Sequence, residues 1–169
     1  MSQVRFIADL HFGHKNMAIK RGFSSVEDHD QHIIDCWNAI VNKYDLTFVL
    51  GDITMETDKF YHLLDQLNGR ITVVMGNHDS RKKVHKLLDK VENVAGCIQY
   101  KKGSFLTHVP VHPMEFNYRM NFNIHGHIHD KTVMKKLFGF IPIKDKRYKC
   151  VSCEHINYTP VTLMELGIK

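Results

Sequence analysis

The chain has 169 residues, 43% hydrophobic and 24% charged, with a formal net charge of +5 at pH 7. This composition argues against disorder and predicts one globular domain over residues 1–169, long enough to bury a core. The absence of an apolar run of membrane-span or signal-peptide form predicts a cytoplasmic protein with no membrane partner.

The first half of the chain alternates strand and helix patterns. Short apolar runs predict buried strands at residues 4–8, 46–50 and 71–75. Apolar residues at helical spacing predict helices within residues 26–41, 60–67 and 84–91. Ser24 and Glu27 have the spacing of a capping box for the first helix, and Asp79 or Ser80 can cap the third. This alternation predicts a parallel sheet covered by helices.

The second half of the chain favours antiparallel strands. A hairpin is expected from residues 96–100 and 104–107, followed by a short strand at residues 122–124. Residues 148–156 and 160–166 are predicted to form a closing antiparallel pair. Together the two halves predict an α/β fold with two packed mixed β-sheets flanked by helices.

Metal-binding residue types recur in this chain. Thirteen histidines are many for this length, and histidine is the commonest metal ligand. Four of them lie in helical patterns and are expected at the surface or between helices: His29, His32, His62 and His85. The four cysteines are expected to be free thiols, and the residues around Cys150 and Cys153 favour a strand over half of a zinc site.

Five polar clusters stand where predicted strands end. They are Asp9-Leu10-His11, Gly51-Asp52, Gly76-Asn77-His78-Asp79, Thr107-His108 and Gly126-His127-Ile128-His129. Carboxylate, imidazole and amide oxygen are ligands for divalent metals, and loops at strand ends can be aimed at one point by a rigid sheet. Residues two apart on an extended segment share a side, so Asp9 and His11 can reach one ion, and His127 and His129 can converge on a pair of ions. The pattern predicts a dinuclear metal site.

The order and content of these clusters resemble the calcineurin-like metallophosphoesterase superfamily across nearly the whole chain. The resemblance implies a four-layer α-β-β-α sandwich and two divalent metal ions, with Mn²⁺ as the first choice and Fe, Zn or Ni as alternatives. It implies Asp52 as the ligand shared by both ions. The remaining implied ligands are Asp9, His11 and His129 for one ion and Asn77, His108 and His127 for the other.

The same resemblance implies how the reaction would proceed. His78 would be the general acid, with a nearby carboxylate such as Asp79 orienting its ring, and a water or hydroxide shared by the metals would be the nucleophile. His125, two positions before His127, is expected either to support a metal ligand or to be a strand residue whose hydrogen bonds serve only the fold.

Substrate residues are less sharply marked. Residues 53–55, which follow Asp52, lack the Asp and Arg of the protein phosphatases, so that branch is disfavoured. Residues 12–14 resemble small bacterial and phage phosphoesterases, several branches of which cleave phosphodiesters. His14, Asn16 and Arg21 are candidate substrate contacts, with loop scaffolding as the alternative.

Positive charge is concentrated in residues 131–149, which carry seven basic residues and one acidic residue, leaving the rest of the chain at −1. This segment could attract a nucleotide or nucleic acid, or it could be a solvated hairpin. Its apolar centre, residues 137–143, could fold over the site as a flap or pair with a second copy in a homodimer.

The leading hypothesis is a metal-dependent phosphoesterase acting on a phosphodiester of a nucleotide or nucleic acid. The alternatives are a phosphomonoesterase, a non-catalytic metal-binding scaffold for protein interactions, and a nucleic-acid-binding protein with structural metals. Some members of this superfamily that serve as interaction scaffolds have lost the acid histidine, so the presence of His78 favours an enzyme over the scaffold.

Overall fold

The computed structural model describes residues 2–169. Its first sheet is entirely parallel and has the order β1-β2-β3-β4. The strands are β1 (Val4–Ile7), β2 (Leu46–Val49), β3 (Arg70–Val74) and β4 (Asn93–Ala95). The α-helices are α1 (Lys15–Lys20), α2 (Val26–Asn38) and α3 (Val84–Leu88). Among these residues, no helix is long and apolar enough to cross a membrane.

The second sheet is mixed. Three of its strands are β5 (Ile98–Tyr100), β6 (Ser104–Leu106) and β7 (Phe122–His125). A separate antiparallel hairpin follows, formed by β8 (Met134–Leu137) and β9 (Ile141–Lys144). The chain then returns to the second sheet as β10 (Tyr148–Cys150), which pairs in parallel with β7. The strand order is β10-β7-β6-β5, and only β5 and β6 pair antiparallel.

Short 3₁₀ segments complete the secondary structure of the described residues. They lie at Tyr61–Gln66, Arg81–Lys83, Lys101–Gly103, Pro113–Asn117 and Cys153–His155.

The first sheet is buried on both faces because alternate side chains of a strand point to opposite sides. Ile7 belongs to a core shared with Ile33 and Trp37 of α2. Its neighbour Phe6 faces the other way and packs in a second core with Leu106 and Ile124 of the second sheet. The predicted α/β fold, with two packed sheets flanked by helices, is therefore confirmed.

Several local predictions in the first half needed correction. The cap of α2 is Ser25, whose side chain accepts a hydrogen bond from the Asp28 N–H, and not Ser24. Residues 61–66 form a 3₁₀ helix instead of an α-helix. The helix α1 was not predicted because it has only six residues, too few for helical periodicity to show.

The predicted closing pair of residues 148–156 and 160–166 was wrong. Strand β10 pairs with β7, and Val161 makes an isolated antiparallel bridge to Phe6. The apolar side chains Val161, Leu163 and Leu166 instead pack against the core between the sheets. An alternating apolar pattern thus marked a segment that covers the core without pairing as a strand.

Candidate metal centre

The polar clusters meet where the strands of the first sheet end. Asp9 follows β1 and Asp52 follows its parallel neighbour β2, so the two residues leave the sheet at the same edge. Two backbone bonds join these loops: the Asp9 N–H donates to Gly51 O at 3.0 Å, and the His11 N–H donates to Asp52 O at 3.0 Å. The second sheet reaches the same place, because the Ala8 N–H donates to Val151 O at 2.8 Å.

Two groups of side chains could each hold a metal ion. The first group is Asp9, His11 and His129, and the second group is Asp52, His108 and His127. Within each group, one ligand atom from every residue lies within 4.8 Å of the others. The amide oxygen of Asn77 lies 2.9 Å from His108 Nε2, which places Asn77 beside the second group.

Asp52 lies between the two groups. Its Oδ2 is 3.3 Å from His108 Nε2 and 3.8 Å from His11 Nε2. Its Oδ1 accepts a hydrogen bond from the His78 N–H at 2.9 Å, which fixes the carboxylate. This position suits a ligand that two ions share.

His108 is oriented for metal binding by the backbone. Its Nδ1 lies 2.8 Å from Leu50 O, and since a carbonyl can only accept, Nδ1 carries the proton of the neutral ring. The lone pair of Nε2 therefore points toward the Asp52 carboxylate, the Asn77 amide oxygen and His127 Nδ1, which is 3.2 Å away. Four potential ligand atoms converge there.

His11 provides the clearest test of whether the residues fit a metal. Its side chain is 3% exposed, and neither ring nitrogen has a hydrogen-bond partner among residues 2–169. Burial lowers its pKa to about 3, so the ring is neutral, which is the form that binds metals. Buried polar groups are rarely left unpaired, and a metal ion would pair this one. The donor set fits a divalent cation.

Backbone strain is concentrated at the candidate ligands. Five of the six residues in the two groups have left-handed backbone conformations: Asp9 (φ 59°), His11 (φ 51°), Asp52 (φ 55°), His127 (φ 71°) and His129 (φ 51°). This conformation costs roughly 1–2 kcal/mol per non-glycine residue. Such strain at one place indicates that these loops are shaped for a ligand rather than for stability.

Two glycines allow close backbone approach to the carboxylates. A Cβ on Gly76 would lie 2.2 Å from Asp52 Oδ1, and one on Gly126 would lie 2.7 Å from Asp9 Oδ2. Any larger residue would displace the carboxylates from the positions that they share with the histidines.

The charges of the two carboxylates are set by different surroundings. Burial raises the pKa of the Asp9 carboxyl, against a hydrogen bond from Ser152 that lowers it. At Asp52 and His108, burial opposes the charged forms, but their mutual contact outweighs burial, lowering the pKa of Asp52 and raising that of His108. Metal binding at the second group requires the neutral ring of His108, so it competes with protonation of this side chain.

Arg21 acts as a structural clamp, which favours the alternative of loop scaffolding over a substrate contact for this residue. Its side chain is 1% exposed, and its guanidinium donates to Asp9 O at 2.7 Å and Leu10 O at 3.3 Å. It also donates to Glu154 Oε1 at 2.9 Å, and that oxygen lies 3.1 Å from His129 Nδ1. Because a carboxylate only accepts, His129 donates from Nδ1 and keeps Nε2 for a metal.

Sequence reasoning missed Glu154. It lies 133 residues from Arg21 and 25 from His129, and no local pattern around it marks a site. Burial would raise the pKa of the Glu154 carboxyl, but the hydrogen bond from His129 and the charge of Arg21 together lower it. The ion pair between Arg21 and Glu154 therefore fixes both Asp9 and His129 of the first group.

Asp79 lies close to the centre but does not orient His78 as expected. Its carboxylate accepts hydrogen bonds from the N–H groups of Asp52, Ile53 and Gly76 at 2.8–3.0 Å. These bonds join the loops after β2 and β3. The His78 ring centroid lies 6.0 Å from that of His11, and its Nδ1 lies 3.7 Å from Glu56 Oε1.

The remaining candidates are placed as follows. The His14 ring centroid is 5.7 Å from that of His11, so His14 lies beside the first group. Asn16 is exposed on α1. His125 is fully buried, and its Nδ1 lies 2.8 Å from Gly126 O, to which it donates. His125 thus supports the loop that carries His127.

No known family model matches the chain. An uncharacterized protein from Methanocaldococcus jannaschii is 33% identical over 171 aligned positions, covering 96% of this chain and 88% of that protein. A solved protein of unknown function from Aquifex aeolicus is similar with a TM-score of 0.73 and 22% identity, covering 99% of this chain and 98% of the other, and so has the same fold. A novel archaeal phosphodiesterase is similar with a TM-score of 0.49 and 16% identity over 88% of this chain and 81% of the other.

Replacing His127 with glycine should relieve backbone strain while removing a candidate metal ligand. Because His127 is exposed and left-handed, His127→Gly should be more stable than His127→Ala by about 1 kcal/mol in chelator, where no metal contributes. Urea unfolding of both variants gives this difference. Equal stabilities would contradict the strain at this position.

Glutamine at position 154 should weaken metal binding at the first group. Glu154→Gln keeps the shape of the side chain but removes the charge that fixes His129 and Arg21, and such supporting contacts are typically worth 10- to 100-fold in affinity. Calorimetric titration with Mn²⁺ measures the change. The control is Glu165→Gln, which removes a carboxylate 3.8 Å from Arg5 instead. Equal loss in both variants would contradict the clamp.

Buried His125 should make the metal-free fold sensitive to acid. Burial lowers its pKa from 6.5 to about 4, so between these pH values the unfolded chain binds a proton that the folded chain does not. Stability should therefore fall as pH drops through this window, by up to about 1.4 kcal/mol per pH unit more than in His125→Asn. Urea unfolding in chelator measures both slopes, and parallel slopes would refute the assignment.

Proposed function

The chain belongs to the same family as the uncharacterized Methanocaldococcus jannaschii protein, and we propose that it is a metal-dependent phosphoesterase of the calcineurin-like superfamily. The observation that carries this proposal is the position of Asp52 between two groups of Asp and His ligands. Two-metal hydrolases of phosphate esters use such a shared carboxylate to hold two ions roughly 3.5 to 4 Å apart.

Seven side chains would hold the two ions, and mixed oxygen and nitrogen ligands suit Mn²⁺, with Fe, Zn and Ni as alternatives. Bound ions would supply an activated water and neutralise charge on the phosphoryl group. The proposed ligands are Asp9, His11 and His129 for one ion, Asn77, His108 and His127 for the other, and Asp52 for both.

His78 is the proposed general acid. Its side chain is 29% exposed, so it can meet a substrate, and its backbone is held by the Asp52 carboxylate. Its Nδ1 has no hydrogen-bond partner among residues 2–169, and Glu56 Oε1 at 3.7 Å is placed to accept from it with a small movement. His78 would then hand the proton on Nε2 to the leaving oxygen.

Phosphodiesters of nucleotides or nucleic acids are the proposed substrates. His14 lies beside the first group and is partly exposed, which supports a contact between its ring and the phosphate. The seven basic residues of residues 131–149 favour an anion larger than phosphate alone, because they extend well beyond the loop that carries His129.

Removing the proposed acid should slow the reaction and leave the metals bound. We expect His78→Ala to lower kcat on bis-p-nitrophenyl phosphate with Mn²⁺ by about 10²- to 10⁴-fold, and to lower it more for diesters with poorer leaving groups, which need the proton more. Metal content is measured alongside turnover.

The matched control is Asp52→Asn, which should lose metal and activity together because the shared ligand loses its charge. Loss of metal from His78→Ala would contradict its role as the acid. Absence of turnover by the unmodified protein with every divalent metal tried would contradict the proposed function itself.

A further inference from the structure

The hairpin of β8 and β9 projects from the protein with both faces in solvent. Seven of its eight strand residues are exposed, and Ile143 is half-buried. Two-stranded ribbons of this kind are at best marginally stable alone. We call residues 131–149 the basic hairpin. Its surface is not explained by the packing of the fold.

The tip of the basic hairpin presents two aromatic rings to water. Phe138 is 78% exposed and Phe140 is 72% exposed. Phe138 also has a left-handed conformation (φ 52°), in a tight turn closed by the bond from the Phe140 N–H to Leu137 O. Asn or Gly normally fills such a position. The chain therefore keeps a phenylalanine where both backbone and solvation disfavour it.

Positive charge lies along the hairpin between its root and this tip. Five lysines of the basic hairpin are exposed: Lys131, Lys135, Lys136, Lys144 and Lys146. Among residues 2–169, none of these five forms an ion pair. The acidic residue of the segment, Asp145, is 2% exposed and bonded to Arg147. The charge is thus free to act on a partner.

The positive charge of the basic hairpin determines which partners could cover its apolar tip. Pairing of two basic hairpins would bring two segments of net charge +6 together, which disfavours a second copy as the partner. Duplex nucleic acid supplies phosphates but hides the faces of its bases. A single strand offers both phosphates for the lysines and unpaired bases for stacking on the phenylalanines.

The root of the basic hairpin is fixed to the metal centre. The Lys131 N–H donates to Ile128 O at 2.9 Å, and Lys131 O lies 2.9 Å from His155 Nε2, which donates to it. The segment therefore begins two residues after His129, on a loop that carries two candidate ligands. A strand bound along the hairpin would enter the site at this root.

We propose that the basic hairpin binds single-stranded nucleic acid and leads its phosphodiesters to the metal centre. The delivery step rests on the proposed function, whereas the binding step does not. Stacking comes from Phe138 and Phe140, and backbone contacts come from the exposed lysines.

Binding is tested in chelator, where no hydrolysis can occur, by fluorescence anisotropy with a labelled single-stranded oligodeoxynucleotide. The double variant Phe138→Asn and Phe140→Ser suits the turn and should bind at least about tenfold more weakly. Lys135→Gln with Lys136→Gln should reduce the slope of log affinity against log salt by about 1.4. The matched control is Lys43→Gln with Tyr44→Ser, an exposed lysine and aromatic elsewhere on the surface, which should bind as the unmodified protein does.

Several results would overturn the proposal. They are no binding of the oligonucleotide, equal binding by the hairpin variants and the control, tighter binding of the matched duplex, tighter binding of phosphatidylserine vesicles, and a dimer that the hairpin variants dissociate. Turnover of bis-p-nitrophenyl phosphate by the unmodified protein is measured separately. Binding of the oligonucleotide by a protein that shows no such turnover would support the proposed role of the basic hairpin and overturn the proposed function.

Discussion

The fixed position of the Asp52 carboxylate is the constraint on which the rest of the site depends. One oxygen is held by the His78 N–H, and the other faces His108 and His11. The absence of a side chain at Gly76 makes room for it, and the Asp79 carboxylate holds the backbone beneath it. Side chains from the ends of several strands thus meet at one carboxylate.

Stability is given up locally to build this arrangement. Two features are unfavourable in the metal-free protein: the left-handed backbone at five candidate ligands, and the buried His11 imidazole, which has no hydrogen-bond partner in the described part of the chain. Compensating contacts lie around the site: Arg21 joins the carbonyl groups of Asp9 and Leu10 to Glu154, and Glu154 reaches His129. Metal binding would offset the unfavourable free energy that these contacts do not compensate, so folding and metal binding should be linked.

The sequence predicted the gathering of Asp9, Asp52 and Asn77 because they follow parallel strands whose ends share one edge of a sheet. It did not predict Glu154, because the contacts to Arg21 and His129 depend on how distant segments pack. The sequence marked Asp79 as a site residue but did not predict its bonds to backbone N–H groups. A carboxylate that is adjacent to a histidine in the sequence need not face that histidine in the fold. The strand pairing after residue 148 was misjudged for a similar reason: alternating apolar residues show burial, and they do not show which neighbour buries them.

The most direct test of the two-metal site is a crystal grown with Mn²⁺ and examined by anomalous scattering. The proposed site predicts two peaks, one contacted by Asp9, His11 and His129 and one by Asn77, His108 and His127, with Asp52 touching both. A single peak, or peaks that do not contact Asp52, would contradict it.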